Sequence, residues 1–307
     1  MNDTSFFPRI LIMTEDLSEI VQPLVSNYFV VGIVKTQRKN RKENYFSKVI
    51  KNTYRFLKPN PLKKFSKKNA ISYYLMNNGS DRFLESWVKG QKPDLIVIYS
   101  MPELLKANIF NIPTYKTINL HPSLLPKYRG ANPFFWHYYH HEKKGGVTVH
   151  FIDEGEDTGN IIYQEEYFIE RGMSLVDMKH LAIEKIGIKL LFKTIDNIKN
   201  IPNTAQSKTH SFRARYLSKN EYKSLINWEE MEVEYIWHIF RGFPEWIKTL
   251  TFVGFINKCY FWKIKHYQKE NMEGYRLGEL YKEDNAYFIS CKDGKIFISS
   301  KGFRLIR

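Results

Sequence analysis

The chain has 307 residues, 43% of them apolar and 16% aromatic, which excludes a disordered or fibrous protein and leaves room for one large domain or two smaller ones. The net charge is +15, yet residues 35–68 alone hold 13 Lys and Arg against one acid, so the excess is local and the remainder is close to balanced. Cys259 and Cys291 make no metal-binding spacing, no leader pattern is read, and no apolar run approaches the roughly 20 residues that span a bilayer, so a cytoplasmic protein with buried, reduced cysteines is expected.

Arg9–Thr14 (RILIMT) reads as a short apolar strand, Ser18–Leu24 as a helix and Tyr28–Lys35 as a second strand. A strand–helix–strand opening predicts a parallel α/β sheet. Glu15-Asp16-Leu17-Ser18 stands where a G-x-G-x-x-G would follow the first strand, which argues against a dinucleotide site. The basic segment predicts a helix over Asn44–Leu57. Phe46, Val49, Ile50 and Leu57 share one side of it, and Lys48, Lys51, Arg55 and Lys58 another. A solvated face, a phosphate-binding surface, a nucleic-acid contact and an interfacial membrane helix all fit that pattern. Pro59 and Pro61 predict its end, and Lys63–Lys68 reads as loop. Asp81–Lys89 resumes helix, and the continuous apolar run of Pro93–Ser100 predicts a strand buried on both faces. Met101–Leu105 is then a loop leading into a short helix.

Thr117–His121 (TINLH) alternates like a strand, which puts Asn119 and His121 on one face, and Pro122 ends it. Val147–Ile152 is a second strand pattern that runs into the acidic turn Asp153-Glu154-Gly155-Glu156-Asp157-Thr158-Gly159. An amide, an imidazole and a carboxylate are the parts needed to stabilise an oxyanion while moving a proton. Several of these elements occur in a telling order: Asn119-x-His121, Ser123-Leu124-Leu125-Pro126, Tyr128-Arg129-Gly130, then Asp157-Thr158-Gly159 after a Gly-Val-Thr strand. This stretch resembles the folate-dependent formyltransferases, which act on glycinamide ribonucleotide, methionyl-tRNA or amino sugars and use 10-formyl-tetrahydrofolate. The resemblance covers residues 9–200 at the level of fold and 117–168 residue by residue. It implies a Rossmann-like, mostly parallel sheet with helices on both faces. It further implies Asn119, His121 and Asp157 as catalytic residues, and folate contacts from Met101, Leu104, the loop Ser123, Leu124, Leu125 and Pro126, and the turn residues Asp153 and Glu154. No metal is required.

Asn132 is expected to cap a helix with Pro133 at its first position, and Phe134, Phe135, Trp136, Tyr138 and Tyr139 predict that this helix is buried. His137, His140 and His141 have the spacing of a metal face but lack a third-ligand signal, so packing histidines are expected. Ile161–Ile169 reads as strand. Ser174 with Asp177 then opens a long helix to Asn200, striped by Met178, Leu181, Ile188, Leu191, Ile195 and Ile198. Residues 202–223 are polar and structureless by pattern. The expected organisation is a catalytic domain over 1–201, a linker over 202–224 and a small β-rich, OB- or barrel-like domain over 225–307. That last part should hold a helix over Glu232–Arg241 ending at Gly242. Strands are expected over 249–255, 258–267, 276–281, 286–291 and 296–300, with a hairpin turn at Asp293-Gly294. Trp246 is suited to stacking on a base or to a core.

Two acceptors fit the resemblance. A nucleotide-linked amino sugar, such as a dTDP-4-amino-4,6-dideoxyhexose, is favoured, with methionyl-tRNA as the alternative. The insertion after the second strand is Lys- and aromatic-rich where the tRNA enzymes are rich in Gly, Pro and Arg. The Asn132-Pro133-Phe134-Phe135-Trp136 run is also unlike their Ala-Pro. The favoured reading involves no nucleic acid and no membrane insertion, and aromatics in the C-terminal part make a homodimer a further expectation.

Overall fold

Apolar runs enclosed on both faces bury every residue, and Ile10–Thr14 (β1) and Leu95–Tyr99 (β4) do so along their whole length. Each fully buried Leu or Ile in such a strand contributes about 1.5–3 kcal/mol. The computed structural model describes residues 7–36, 60–76, 83–207, 211–244 and 260–303. The helix expected over 44–57, the strand expected over 249–255, Trp246 and Cys259 lie outside the described residues.

Val21–Asn27 forms α1, and Val30–Lys35 (β2) pairs parallel with β1 on one side while β4 pairs parallel on the other. Ser72–Leu75 (β3), Thr117–His121 (β5), Lys144–Phe151 (β6) and Ile161–Phe168 (β7) complete a seven-stranded sheet in the order β3-β2-β1-β4-β5-β6-β7. The pairs from β3 through β5 are parallel, and β5 with β6 is antiparallel. This is the Rossmann-like, mostly parallel sheet that the resemblance implies.

Three local expectations change. Lys63–Lys68 is not loop: Pro61–Lys68 is a helix (α2), because Pro61 occupies its first turn and Asn60 caps it. The Asn60 Oδ1 accepts from Leu62 N at 3.0 Å and Lys63 N at 3.4 Å, so the proline starts a helix there instead of stopping one. Leu84–Gln91 (α3) and Ala107–Phe110 (α4) follow as expected. Asn132 precedes Pro133–Tyr139 (α5) in the left-handed region, φ 62°, and its side chain makes no capping bond. Past Leu175–Lys179 (α6) the long helix is π-helical over His180–Gly187, then α-helical again over Ile188–Asp196 (α7), with a 3₁₀ turn at Ile198–Asn200. The wider turn rotates the stripe, so Ala182, Ile183, Ile186 and Leu190 are buried while Leu181 and Ile188 are only half-buried. Gly187 lies there because a Cβ would meet Leu120 of β5 at 3.0 Å.

By contacts the chain forms two units. The first comprises Met1–Ala131, Gly146–Glu166 and Leu181–Arg213, and the second Asn132–Gly145, Tyr167–His180 and Ala214–Arg307. The aromatic helix α5 belongs to the second. Its Phe135 is fully buried against Trp136, Tyr139, Tyr222 and Phe243 at 5.1–6.1 Å. His141 stacks on Tyr235 at 4.5 Å and His140 leans on Trp136 at 5.5 Å; among the described residues no group of three metal-ligating side chains forms. Lys219–Ser224 (α8) carries a Ser218–Glu221 capping box, and Val233–Gly242 (α9) ends at the glycine expected to stop it. The β-rich expectation takes the form of a four-stranded antiparallel sheet. Its strands are Tyr260–Lys269 (β8), Leu280–Glu283 (β9), Ala286–Cys291 (β10) and Gly294–Phe303 (β11), in the order β8-β11-β10-β9. Asp284 and Asn285, at φ 42° and 65°, join β9 to β10 in the left-handed pair that a type I′ hairpin needs. Cys291 pairs with Gly294, so the β10–β11 turn is Lys292-Asp293, one residue earlier than expected. The freed Asp293 Oδ1 accepts the first N–H of α9 from Val233 at 2.7 Å.

Candidate active site

The antiparallel pairing of β5 with β6 sets Asn119 opposite His150 and His121 opposite Thr148. Directly opposed residues share a face, so four polar side chains collect where β5 ends. Pro122 stops the ladder there. The loop Ser123–Gly130 turns back, with a cis bond between Leu125 and Pro126 and with Tyr128 left-handed at φ 58°. It is pinned from beneath: Thr148 Oγ1 donates to Ser123 O at 2.6 Å, and Gln164 Nε2 donates to Leu125 O at 2.8 Å.

Asp157 enters from the turn after β6, in the left-handed region at φ 54°. Its Oδ2 accepts the Gly130 N–H at 2.8 Å and lies 3.4 Å from His121 Nδ1, and its Oδ1 accepts from Asn119 Nδ2 at 3.2 Å. The structure thus brings Asn119, His121 and Asp157 together. His150 joins them as a fourth member, 3.1 Å from Asn119 Nδ2 and 3.4 Å from Asp157 Oδ1 through its Nε2. A fifth residue, Gln206, donates through Nε2 to the main-chain oxygens of Asp157 at 2.9 Å and Gly159 at 2.6 Å.

Proton positions follow from the partners, since a carbonyl can only accept. His121 Nε2 lies 2.9 Å from Tyr128 O and therefore carries a hydrogen, which leaves Nδ1 as the nitrogen free to exchange a proton beside Asp157. His150 Nδ1 lies 2.7 Å from Phe151 O, so its Nε2 lone pair accepts from Asn119. Both N–H bonds of the Asn119 amide are then engaged, one with His150 and one with Asp157. A developing oxyanion at Asn119 has to share one of them.

Burial pushes the His121 imidazole below its ordinary value, and Asp157 offsets this only in part. Burial alone would raise the Asp157 carboxyl, but the His121 and His150 rings in their protonated forms and the Gly130 N–H hold it well below the carboxylate range. The outcome is a neutral, buried base next to an ionised carboxylate. Both shifts have one sign in linkage: the unfolded chain binds protons more readily than the folded one, so stability falls as pH falls. The His121 share is lost below the unfolded value of about 6.5, and the Asp157 share below about 3.9. Thermal unfolding of wild type and Asp157→Asn followed from pH 7 to pH 3 should therefore show a gap that is constant down to about pH 4 and begins to narrow below it. A gap that stayed constant throughout would contradict an ionised Asp157.

The residues expected to contact folate are placed unevenly. Leu104 is 60% exposed and Met101 half-buried after β4, an apolar pair suited to the face of a fused ring. Ser123 and Leu125 are buried, with the Ser123 hydroxyl donated to Lys127 O at 2.7 Å. Leu124 is seated against Gly146, where any Cβ would come within 2.3 Å of it. Pro126 is half-buried. Asp153 and Glu154 are exposed, and Asp153 Oδ1 closes its own turn by accepting from Gly155 N and Thr158 Oγ1.

Sequence reasoning missed His150, which stood in view inside the Val147–Ile152 alternation, two residues from Thr148 on the same face. It also missed Gln206, whose segment reads as linker. That segment is not structureless. Thr204 bridges Ile161, Ser211 Oγ donates to Pro126 O, Tyr128 N donates to Phe212 O, and Arg213 pairs with Glu156.

At the end of β5 a mostly parallel sheet gathers a buried imidazole, a carboxylate and an amide, the groups a site needs to move a proton and hold an oxyanion. A family model described as formyl transferase matches residues 34–195, and the chain belongs to that family. The resemblance read from residues 117–168 is borne out at this level, and the protein is a formyltransferase. The methionyl-tRNA formyltransferase of Clostridium acetobutylicum is 32% identical over 217 residues, covering 69% of this chain and 67% of its own. The sugar 3N-formyltransferase WlaRD superposes with a TM-score of 0.61 at 20% identity, covering 97% of this chain and 99% of its own. The N-formyltransferase of Helicobacter canadensis, solved with folinic acid and dTDP-3-aminofucose, gives 0.61 at 20%, covering 97% and 100%.

Proposed function

We propose that this protein transfers the formyl group of 10-formyl-tetrahydrofolate to the amine of a nucleotide-linked amino sugar, with Asn119, His121 and Asp157 as its catalytic residues. The observation that carries the reaction is the pairing of His121 Nδ1 with Asp157 Oδ2 at 3.4 Å in a buried site. The folate supplies the formyl group when bound, and Leu104 and Met101 are the apolar side chains suited to hold its ring. The acceptor nitrogen sheds a proton as it bonds to the formyl carbon. His121 Nδ1 takes that proton, the Asp157 carboxylate balances the charge then created on the ring, and the ring returns the proton to the folate nitrogen as that nitrogen's bond to the formyl carbon breaks and tetrahydrofolate leaves. Tyr128 O keeps the ring from turning. Asn119 directs an N–H toward the formyl oxygen as negative charge grows there, an effect on the order of 3 kcal/mol per donor. Burial keeps His121 unprotonated at neutral pH, the state a proton acceptor needs.

The sugar acceptor is supported by overlap along nearly the whole chain with two sugar N-formyltransferases. Methionyl-tRNA is the second reading, favoured by the sequence relatives and the basic segment 35–68. Mixing the protein with 10-formyl-tetrahydrofolate and a panel of dTDP-, UDP- and GDP-amino sugars, alongside charged initiator tRNA, separates them. A formylated sugar whose turnover changes mildly with salt is expected. Formylation of tRNA alone, weakening steeply as salt rises, would replace the sugar by the nucleic acid.

A further inference from the structure

Asp157 takes a backbone conformation that side-chain-bearing residues rarely adopt. It is a non-glycine residue at φ 54°, on a turn that leaves the sheet after β6 and returns at β7. The main-chain oxygens of Asp157 and Gly159 converge on a single donor, the Gln206 amide nitrogen, at 2.9 and 2.6 Å. An amide has two ends, and something must decide which one faces those carbonyls. Arg129 decides it: its Nε and Nη2 both donate to Gln206 Oε1, at 3.0 and 2.7 Å. A guanidinium has no acceptor, so the Gln206 oxygen is fixed toward Arg129 and its NH2 toward the turn. Arg129 itself sits between Tyr128, whose carbonyl holds His121, and Gly130, whose N–H holds Asp157. The two loops that carry the reacting pair are therefore joined through one glutamine.

We propose that Arg129 and Gln206 are positioning residues for formyl transfer: together they fix the Asp157 turn so that its carboxylate faces His121 Nδ1. This rests on the reading of Asp157 and His121 as catalytic. Neither residue of the brace touches the reacting atoms. Gln206 acts through the main chain of Asp157, and Arg129 acts through Gln206.

The test uses the intact protein and two readouts, formyl-transfer kinetics and the titration of His121 followed by 15N NMR without substrate. His121 is faced by Asp157, His150, the Tyr128 carbonyl and, further off, Glu156, which Arg213 pairs. In Gln206→Leu the turn loses its donor and Asp157 moves off the ring. The His121 midpoint should fall, because the group that favours its charged form has receded. Turnover should fall by at least about 10-fold while KM for the formyl donor stays within about threefold. Gln206→Glu keeps the pair with Arg129 but offers the two carbonyls no hydrogen, so it should not rescue. Arg129→Met leaves the amide unoriented and should show both effects more weakly, and it serves if Gln206→Leu does not fold. The Arg129→Met/Gln206→Leu double variant should be no worse than Gln206→Leu alone. Anything less than both changes, full activity in Gln206→Glu, or additive losses in the double variant would overturn the assignment. Asp157→Asn separates the two levels: if it keeps near-normal turnover the active-site reading fails, and if it is inactive while Gln206→Leu is unaffected only the brace fails.

Discussion

Replacing His121 or Asp157 by alanine should lower formyl transfer by at least about 100-fold, close to 2.7 kcal/mol of transition-state stabilisation, with the fold intact. The two losses have different causes. On the proposed mechanism His121→Ala removes the buried nitrogen that takes the proton, and the neighbouring imidazole does not replace it. His150 is directed elsewhere, its Nδ1 toward Phe151 O and its Nε2 toward Asn119. Asp157→Ala leaves the ring in place, held by Tyr128 O, but leaves nothing to balance the proton it must accept. The double variant should lose little more than either single one, because the two act as a unit. Circular dichroism and thermal unfolding check the fold. Near-normal turnover in both variants would remove them from the mechanism.

An equally large effect is expected from one methyl group two residues beyond the carboxylate. A Cβ on Gly159 would lie 1.9 Å from Phe151 O and 2.7 Å from Phe151 C, backbone atoms of β6 that cannot swing aside. Separation to ordinary contact needs a shift of more than about 1 Å, and a displacement of that size at a reacting group costs on the order of 100-fold. Gly159→Ala should therefore lose about two orders of magnitude in turnover and about 1–3 kcal/mol of stability through overpacking. Steady-state kinetics beside a thermal melt would show it. A variant with wild-type turnover would mean that the turn yields without carrying Asp157 along.

What could be seen in the sequence was what is local and periodic. The alternation in Thr117–His121 placed Asn119 and His121 on one face, because strand period acts over a few residues, whereas Asp157 was joined to them only by the resemblance of the whole stretch to a known family. The antiparallel turn of β6 against β5 was not visible, and it alone sets His150 opposite Asn119. Gln206 contacts a turn 49 residues earlier in the chain, and polarity without period gives no sign of such a partner. Pro61 was misread because a proline that ends one helix and a proline that starts the next look alike until the cap at Asn60 is seen. Ser72–Leu75 escaped notice as a four-residue edge strand that stays partly exposed. The π-helical stretch defeated the 3.6-residue stripe by changing the period halfway.

The match of Asn119 to His150 across two hydrogen-bonded strands has a bearing on how such a protein can change. A slip of one residue would send both side chains through the sheet, so the reactive geometry is stored in backbone pairing. Whatever recognises the acceptor can then vary on connecting segments without retuning the chemistry. One framework can in this way serve a macromolecule in one lineage and a small sugar in another.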